Sequence, residues 1–280
     1  MLTKLLSEQI CDLVRQKPRT VQEIAQCIHK NWRTADRYVA QIAQETGLLS
    51  CRTFREGSRG ALKVVYWNAL DHGKGTAYQE RLLQRIILGH KKEDFSPFDI
   101  YQFVDPRKRA AFLETTEFSR QKEIKYDELI AHAKHQILFF SGNLSWVELG
   151  PNMHVVLDSL AKKGVSINVI TRIDITSQQN TEEMLLLNQR AGKDIVKIRH
   201  CEQPLRAIII DDACVCIKEV LSPQYIRELT TKKYIFYLIK DPIWVNWLQK
   251  VFWHLWAQSI DAQERITALH SIAEEGKRKS

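Results

Sequence analysis

The order of patterned segments in the first 70 residues restricts the fold more than any other feature of the chain. Apolar residues at helical spacing over residues 5–14, followed by Pro18, predict a first helix that ends before the proline. Thr20 and Glu23 then have the spacing of a capping box, in which each side chain accepts a hydrogen bond from the other residue's backbone amide. A second, shorter helix is therefore predicted to begin directly after Thr20.

Residues 32–46 predict a third helix, because their apolar positions have helical spacing and Gly47 provides a C-cap. The runs 49–54 and 62–69 are β-like, and the glycine-containing segment 55–60 joins them as a hairpin. Three helices followed by a β-hairpin resemble the winged helix-turn-helix regulators that are widespread in archaea and bacteria. The resemblance implies a DNA-binding module at the start of the chain.

Basic charge is concentrated in the same segment. Residues 1–70 contain eleven Lys or Arg and six Asp or Glu, whereas the whole chain contains 41 and 33. One quarter of the chain therefore carries a net charge of +5 out of a total of +8. This asymmetry is typical of a module that binds a polyanion, so double-stranded DNA is the expected partner.

The predicted third helix has two opposed faces. Its apolar positions, from Ala35 to Ile42, form a stripe toward the core, whereas Arg33, Arg37 and Gln41 recur on the opposite side. Arginine fits the guanine edge and glutamine the adenine edge, while hydroxyl groups and hairpin cations suit the DNA backbone. The residues predicted to contact DNA are Arg33, Thr34, Arg37, Tyr38, Gln41, Arg52, Arg55, Arg59 and Lys63. Two alternatives stay open: a merely solvated helix face, and a winged helix that contacts protein.

The second half of the chain contains one informative motif, an apolar strand pattern that ends in Asp211. It resembles the HxKxxxxD motif of the phospholipase D superfamily, with Arg206 at the lysine position and Asp211 at the aspartate position. Pro204 stands where the family has its nucleophilic histidine, so the first catalytic step lacks its reacting group. His200 lies four residues too early and would reach the register only through a bulge. We therefore expect no enzymatic activity and name no catalytic residues.

A phospholipase-D-like domain behind a winged helix, without the catalytic histidine, resembles the TrmB-type transcription regulators of archaea. The aromatic pattern from Phe252 to Trp256 and the strand and turn from Phe139 to Leu144 fit the same resemblance. It implies a sequence-specific DNA-binding regulator with a non-catalytic effector or assembly domain. The alternatives are a DNA-tethered phosphodiesterase or nuclease of the phospholipase D type, and a constitutive architectural DNA-binding protein.

The predicted fold class is α/β, or α+β overall, because strand and helix patterns alternate after the glycine-rich break at residues 71–75. A winged helix-turn-helix comes first and a layered phospholipase-D-like α/β domain follows. The predicted segments are residues 1–70 for DNA binding, 71–119 for a linker and connecting helices, 120–262 for the phospholipase-D-like domain, and 263–280 for a C-terminal helix and basic tail.

Polar residues that follow the predicted strands are candidates for a ligand pocket, because open α/β sheets place their crevices there. The residues predicted to hold a small-molecule or anionic effector are Ser141, Asn143, Arg172 and Arg206. The alternative is that Arg206 pairs with Asp211 or Asp212 as a remnant of the fold. No His or Cys cluster has the spacing of a metal site, so we expect no metal and no cofactor.

Two further expectations concern assembly and location. The aromatic-rich segment 244–256 and the amphipathic helix after Gly75 predict a homodimer, although aromatic residues at helical spacing can equally form a core. Six cysteines without a CxxC motif indicate reduced thiols and a cytoplasmic protein. No apolar stretch is long enough to cross a membrane.

Overall fold

The computed structural model describes residues 2–46, 49–55, 61–67, 76–114, 126–145, 151–224, 226 and 229–279. The helices in these ranges are α1 (Lys4–Gln16), α2 (Val21–Cys27), α3 (Trp32–Thr46), α4 (Thr76–Leu88), α5 (Phe98–Tyr101), α6 (Tyr126–Ala131), α7 (Pro151–Lys162), α8 (Gln178–Ala191), α9 (Pro242–Gln258) and α10 (Ala262–Lys279). The strands are β1 (Arg19–Thr20), β2 (Leu49–Arg55), β3 (Ala61–Trp67), β4 (Arg109–Glu114), β5 (Gln136–Phe140), β6 (Ser166–Thr171), β7 (Val196–His200), β8 (Ala207–Ile210), β9 (Cys214–Leu221), β10 (Lys233–Ile239) and β11 (Ile260–Asp261).

The N-terminal elements have the predicted order, and the predicted capping box is present. The Thr20 amide donates to Glu23 Oε2 at 2.7 Å, and the Glu23 amide donates to Thr20 Oγ1 at 3.1 Å. Strand β1, which was too short for its pattern to be recognised, pairs with β3 and completes a three-stranded sheet β1-β3-β2. Helices α1 to α3 pack on this sheet around Ile10, Ile24 and Val65, which are fully buried.

The larger sheet confirms the mixed α/β fold class. Its strand order is β11-β7-β6-β5-β8-β9-β10-β4 within the described part of the chain. Strands β5, β6 and β7 run parallel, and the remaining pairs are antiparallel. Helices α4, α5 and α9 pack on one face of the sheet, and α6, α7, α8 and α10 pack on the other, so the domain has three layers.

The turn between β8 and β9 begins at Asp211, whose φ of 46° lies in the left-handed region. Aspartate tolerates this conformation better than most residues, because its short polar side chain can form local hydrogen bonds. Here the carboxylate accepts from the amides of Lys134, His135 and Gln136 at 2.8–2.9 Å, and so ties the turn to the start of β5. These hydrogen bonds lower the pKa of Asp211 despite the opposing effect of partial burial.

Several local predictions need correction. Strand β4 was missed, because all of its residues are half-buried and show no alternation. The sequence has helical patterns over residues 125–135 and 242–262, but α6 ends at Ala131, and α9 ends at Gln258, where Ser259 and β11 interrupt the helix. The glycine-rich break at 71–75 lies outside the described residues, and the proposed segment boundaries stay predictions.

The apolar stripe of α4 is not a free surface for dimerisation. Leu82 and Ile86 are at most 1% exposed and lie in a core that also contains residues of α9 and of the large sheet. Trp244 and Phe252 of α9 are likewise core residues, whereas Trp253 is 41% exposed. The alternative interpretation of the aromatic segment, a contribution to the core, is therefore correct for the larger part of it. In the described ranges, no helix is long and apolar enough to span a bilayer.

Candidate nucleic-acid interface and anion pocket

Helix α3 has the two faces that its sequence predicts. Ala35, Val39 and Ile42 are fully buried, whereas Arg33 and Arg37 are exposed one helical turn apart. Gln41 continues the exposed face by one more turn. The Thr34 amide donates to Asn31 Oδ1 at 2.9 Å, a capping hydrogen bond at the start of the helix. The helix is thus fixed in the protein by one side and presents a basic, hydrogen-bonding surface on the other.

Tyr38 does not belong to that surface. The residue is only 4% exposed and packs in the core of the N-terminal module, so the prediction of a phosphate contact is corrected. Its position three residues after Ala35 and four before Ile42 is that of a core-facing residue, a signal that the sequence already contained. The guanidinium of Arg37 lies 5.6 Å from the centre of the Tyr38 ring.

Two of the hairpin cations, Arg52 and Lys63, have intramolecular partners. Arg52 Nη1 donates to Tyr101 Oη at 2.6 Å, and Arg52 Nη2 donates to the Ala111 carbonyl at 3.2 Å. Lys63 Nζ lies 2.6 Å from Asp36 Oδ1 on α3. The structure therefore does not place Arg52 or Lys63 as free DNA contacts. Arg55 is the last residue of β2, and Arg59 lies outside the described residues.

Arg206, which directly precedes β8, and the residues that follow β5 and β6 come together at the carboxyl ends of β5 and β6, in the middle of the large sheet. The Arg206 guanidinium lies so close to Gly142 that a Cβ at this glycine would be 2.6 Å from Arg206 Nε. The Gly142 carbonyl accepts from the Arg172 amide at 3.1 Å. Arg206 Nη1 donates to the carbonyls of Gln203 and Leu205, at 3.1 and 2.7 Å. Only glycine permits this approach, so Gly142 belongs to the site although the sequence analysis did not name it.

The electrostatic environment of Arg206 is unusual for an arginine. Burial and, to a smaller extent, the positive charge of Arg172 lower the pKa of Arg206 to about 10, although Glu93 acts in the opposite direction. Among the described residues, no carboxylate lies within ion-pair distance of Arg206. The alternative, a pairing of Arg206 with Asp211 or Asp212, is wrong, because both residues lie at the far end of β8. Asp211 accepts from backbone amides, and Asp212 accepts from Gln249.

The other predicted pocket residues have structural roles. Ser141 is 4% exposed, and its hydroxyl accepts from the Leu144 amide at 3.1 Å. The Asn143 carbonyl accepts from Asn180 Nδ2 at 3.1 Å, and Arg172 Nε lies 2.9 Å from Asp174 Oδ2. A residue that we did not predict, Gln203, is 2% exposed and donates to the Ser141 carbonyl at 3.0 Å. Arg206 is therefore the group most able to bind an anion here.

Pro204, which stands at the position of the family's nucleophilic histidine, is buried by neighbouring residues. A Cβ at Gly89 would lie 2.9 Å from the Pro204 Cγ, so the start of the loop after α4 covers this position. His200 ends β7, a different strand from the one that carries the motif. Its Nδ1 accepts from the Ile173 amide at 2.9 Å, and burial together with Arg265 lowers the pKa of His200. This hydrogen bond gives the histidine a structural role.

No protein-family model and no curated protein sequence matches the chain. Solved structures with similarity to it include Nuc, a phospholipase D family member from Salmonella typhimurium, with 14% identity and a TM-score of 0.38 over 55% of this chain and 98% of that chain. NucT from Helicobacter pylori has 10% identity and a TM-score of 0.38 over 55% and 99%. TrmBL2, described as an archaeal chromatin protein with a novel mode of DNA binding, has 13% identity and a TM-score of 0.39 over 92% and 94%. At this level of similarity, function has to be inferred from this chain's own residues.

Proposed function

We propose that the protein is a sequence-specific regulator of transcription that binds double-stranded DNA through the exposed face of α3. The supporting observation is that Arg33 and Arg37 stand exposed one turn apart while the opposite face of the helix is fully buried. Asp36, the acidic residue between them, is bound by Lys63 at 2.6 Å and so does not neutralise the arginines. A helix held in this way can enter the major groove and present guanidinium groups to guanine.

We propose that the regulator acts as a homodimer in the cytoplasm, because two half-sites provide affinity that one small module lacks. The candidate contact surface is the exposed side of α9 and the neighbouring edge strand. It includes Ile243, Trp253 and Ile260, which are 68%, 41% and 42% exposed. Exposed large apolar residues mark a protein interface where they form one contiguous patch, and the proposed dimer would bring these residues into contact with the partner.

We propose that the second domain binds a small anion at Arg206 without chemically changing it. A largely buried guanidinium beside a second arginine has an unfavourable charge that an anion would compensate. The reaction of the phospholipase D superfamily needs a nucleophilic imidazole, and Pro204 offers none. A catalytic phosphodiesterase is the rival function.

DNA binding is tested by selecting a preferred duplex from a random library with the full-length protein, followed by fluorescence anisotropy titrations. The double variant Arg33→Ala/Arg37→Ala should lose preference for the selected duplex. A matched control is Lys193→Ala/Lys197→Ala, which removes two exposed charges from the second domain. If the α3 variant and the control bind the selected duplex equally well, α3 is not the recognition helix.

The non-catalytic anion site is tested separately. Titration of inorganic phosphate against the protein, followed by calorimetry, should give binding that Arg206→Gln abolishes and Arg107→Gln, an exposed control, leaves intact. The same preparations are incubated with bis-p-nitrophenyl phosphate, phosphatidylcholine and single-stranded DNA. Turnover above background that His200→Ala removes would replace our proposal by the enzymatic one.

A further inference from the structure

The inner face of the β2–β3 hairpin packs on the second domain. Phe54 and Val64 are 5% and 9% exposed and share one continuous core with Phe98, Tyr101 and Tyr237. The hairpin of a winged helix often projects toward the DNA backbone. In this chain, one face of the hairpin is committed to a contact within the protein.

A polar contact lies at the edge of this apolar junction. Arg52 donates to the Tyr101 hydroxyl and to the carbonyl of Ala111, which belongs to the edge strand β4. The Arg52 guanidinium also lies 5.4 Å from the ring centres of both Phe54 and Tyr101. On the other side, Arg109 donates to the Tyr101 carbonyl. Tyr101 is thus held between two arginines, one from the N-terminal module and one from the second domain.

The junction continues into a hydrogen-bonded carboxyl group on β9. Glu219 accepts from Tyr237 Oη at 2.5 Å and from Ser96 Oγ at 2.7 Å. The ring centres of Tyr237 and Tyr101 are 5.0 Å apart, so the group that Glu219 fixes packs directly on the partner of Arg52. Tyr101, the partner of Arg52, is therefore packed against Tyr237, whose hydroxyl is held in turn by Glu219.

We propose that Arg52 is a positioning residue for DNA recognition: by binding Tyr101 and Ala111 it sets the orientation of α3 relative to the second domain. The inference rests on the proposed recognition role of α3 and on the proposed homodimer. Arg52 touches no base in this scheme. If the second domains form the dimer, the junction fixes the distance and angle between the two recognition helices, and with them the preferred half-site spacing.

The test compares half-site affinity with spacing preference. The full-length protein is titrated with duplexes that carry one selected half-site, and with duplexes that carry two at separations varied one base pair at a time. We expect the wild type to prefer one separation clearly. Arg52→Gln and Tyr101→Phe should reduce that preference by about tenfold, the order expected for a hydrogen bond to a charged group, and leave single half-site affinity unchanged.

Two controls and one independent measurement make the outcome decisive. Thr53→Ala changes an exposed neighbour on the same strand, and Arg107→Gln removes an exposed arginine of the second domain; both should retain the spacing preference. Amide hydrogen exchange of β2 and β3, measured without DNA, should become faster in Arg52→Gln but not in the controls.

The possible failures are distinguishable. Loss of single half-site affinity in Arg52→Gln with unchanged hydrogen exchange would show that Arg52 contacts DNA and would overturn the proposal. Unchanged spacing preference and unchanged exchange would also overturn it, because the junction would then hold without Arg52. If the wild type itself binds no duplex selectively, the proposed function fails instead, and the exchange experiment still shows whether Arg52 holds the junction.

Discussion

Helix α3 and the β2–β3 hairpin carry similar basic residues in the sequence, but the structure uses them in different ways. Arg33 and Arg37 on the helix are exposed and lie opposite a buried face. Arg52 and Lys63 on the hairpin each have a partner within the chain, Tyr101 and Asp36 respectively. A local net positive charge therefore overestimates the number of cations that are available to DNA.

The difference follows from what lies on the other side of each element. Helix α3 needs only one face for the core of the N-terminal module, so its other face stays in solvent. The hairpin has a second partner, because Phe54 and Val64 join the core of the following domain. A basic residue on that strand face meets tyrosine hydroxyls and strand carbonyls before it meets a phosphate.

The largest expected effect is on DNA binding by α3. Arg33→Ala and Arg37→Ala should each weaken binding to the selected duplex by about 1–3 kcal/mol and relax the preference at one base pair. Both side chains are exposed, so the free energy of unfolding should stay within about 0.5 kcal/mol of wild type. Anisotropy titrations against duplexes with single base changes, together with urea denaturation, measure both quantities. A large loss of stability would mean that these arginines also have structural partners.

Arg52→Gln should show the opposite pattern. Its loss leaves the Tyr101 hydroxyl and the Ala111 carbonyl without their charged donor, which should lower the free energy of unfolding by about 1.5–3 kcal/mol. The dependence of DNA affinity on salt concentration should not change, because no phosphate contact is removed. Urea denaturation and titrations at several salt concentrations test this. If Arg52→Gln instead weakens the dependence of DNA affinity on salt concentration by about one released counterion, Arg52 contacts the DNA backbone.

Glu219 gives the junction a pH dependence of known sign. Burial raises the pKa of Glu219 above the ordinary value for a glutamate, so the folded protein favours the protonated form. A raised folded-state pKa contributes stability that is fully present below the unfolded pKa and is lost as pH rises through the folded pKa. Glu219→Gln stays neutral at every pH. The variant should therefore gain stability relative to wild type as pH rises from about 4.5.

Urea denaturation of wild type and Glu219→Gln between pH 4 and pH 8 measures this difference. The exposed Glu264→Gln serves as the control, and its stability difference from wild type should vary little over the same interval. The opposite result would be a wild type that gains stability relative to Glu219→Gln as pH rises. It would show that the folded protein stabilises Glu219 as a carboxylate.

The sequence predicted the elements that have strong local signals. Helix α3 has the predicted bounds, α4 begins directly after Gly75 as predicted, and the capping box at Thr20 is present. Strand β4 was not predicted, because its sequence has no alternation of apolar and polar residues. Its residues are half-buried because the strand pairs with β10 and lies beside the β2–β3 hairpin. Short β1 was missed for the same reason: long-range pairing with β3 defines it.

The candidate sites show the same difference between features set by local sequence patterns and features set by long-range contacts. The exposed face of α3 followed from helical periodicity, which is a local property. The partners of Arg52 are 49 and 59 residues away, and Gly142 is 64 residues from the arginine that it accommodates. Such contacts depend on how the sheets are assembled, and neither composition nor spacing specifies them. The alternative pairing of Arg206 with Asp211 or Asp212 is wrong because β8 separates the arginine from both aspartates.

The smallest expected effect concerns the ion pair between Lys63 and Asp36, which connects the hairpin to α3. The side chains are 23% and 29% exposed, so water screens the pair only in part. A double-mutant cycle with Lys63→Ala, Asp36→Ala and the combined variant should give a coupling energy of about 0.2–1 kcal/mol in urea denaturation, the range for ion pairs with access to solvent.

DNA binding should be more sensitive to the loss of this ion pair than the free energy of unfolding is. Lys63→Ala releases the negative charge of Asp36 beside Arg33 and Arg37, whereas the combined variant removes that charge together with the lysine. We therefore expect Lys63→Ala to weaken binding to the selected duplex and Asp36→Ala to restore it in the combined variant. If the combined variant binds as weakly as Lys63→Ala, then Lys63 contributes a phosphate contact of its own, and the hairpin supplies more to the DNA interface than its intramolecular contacts indicate.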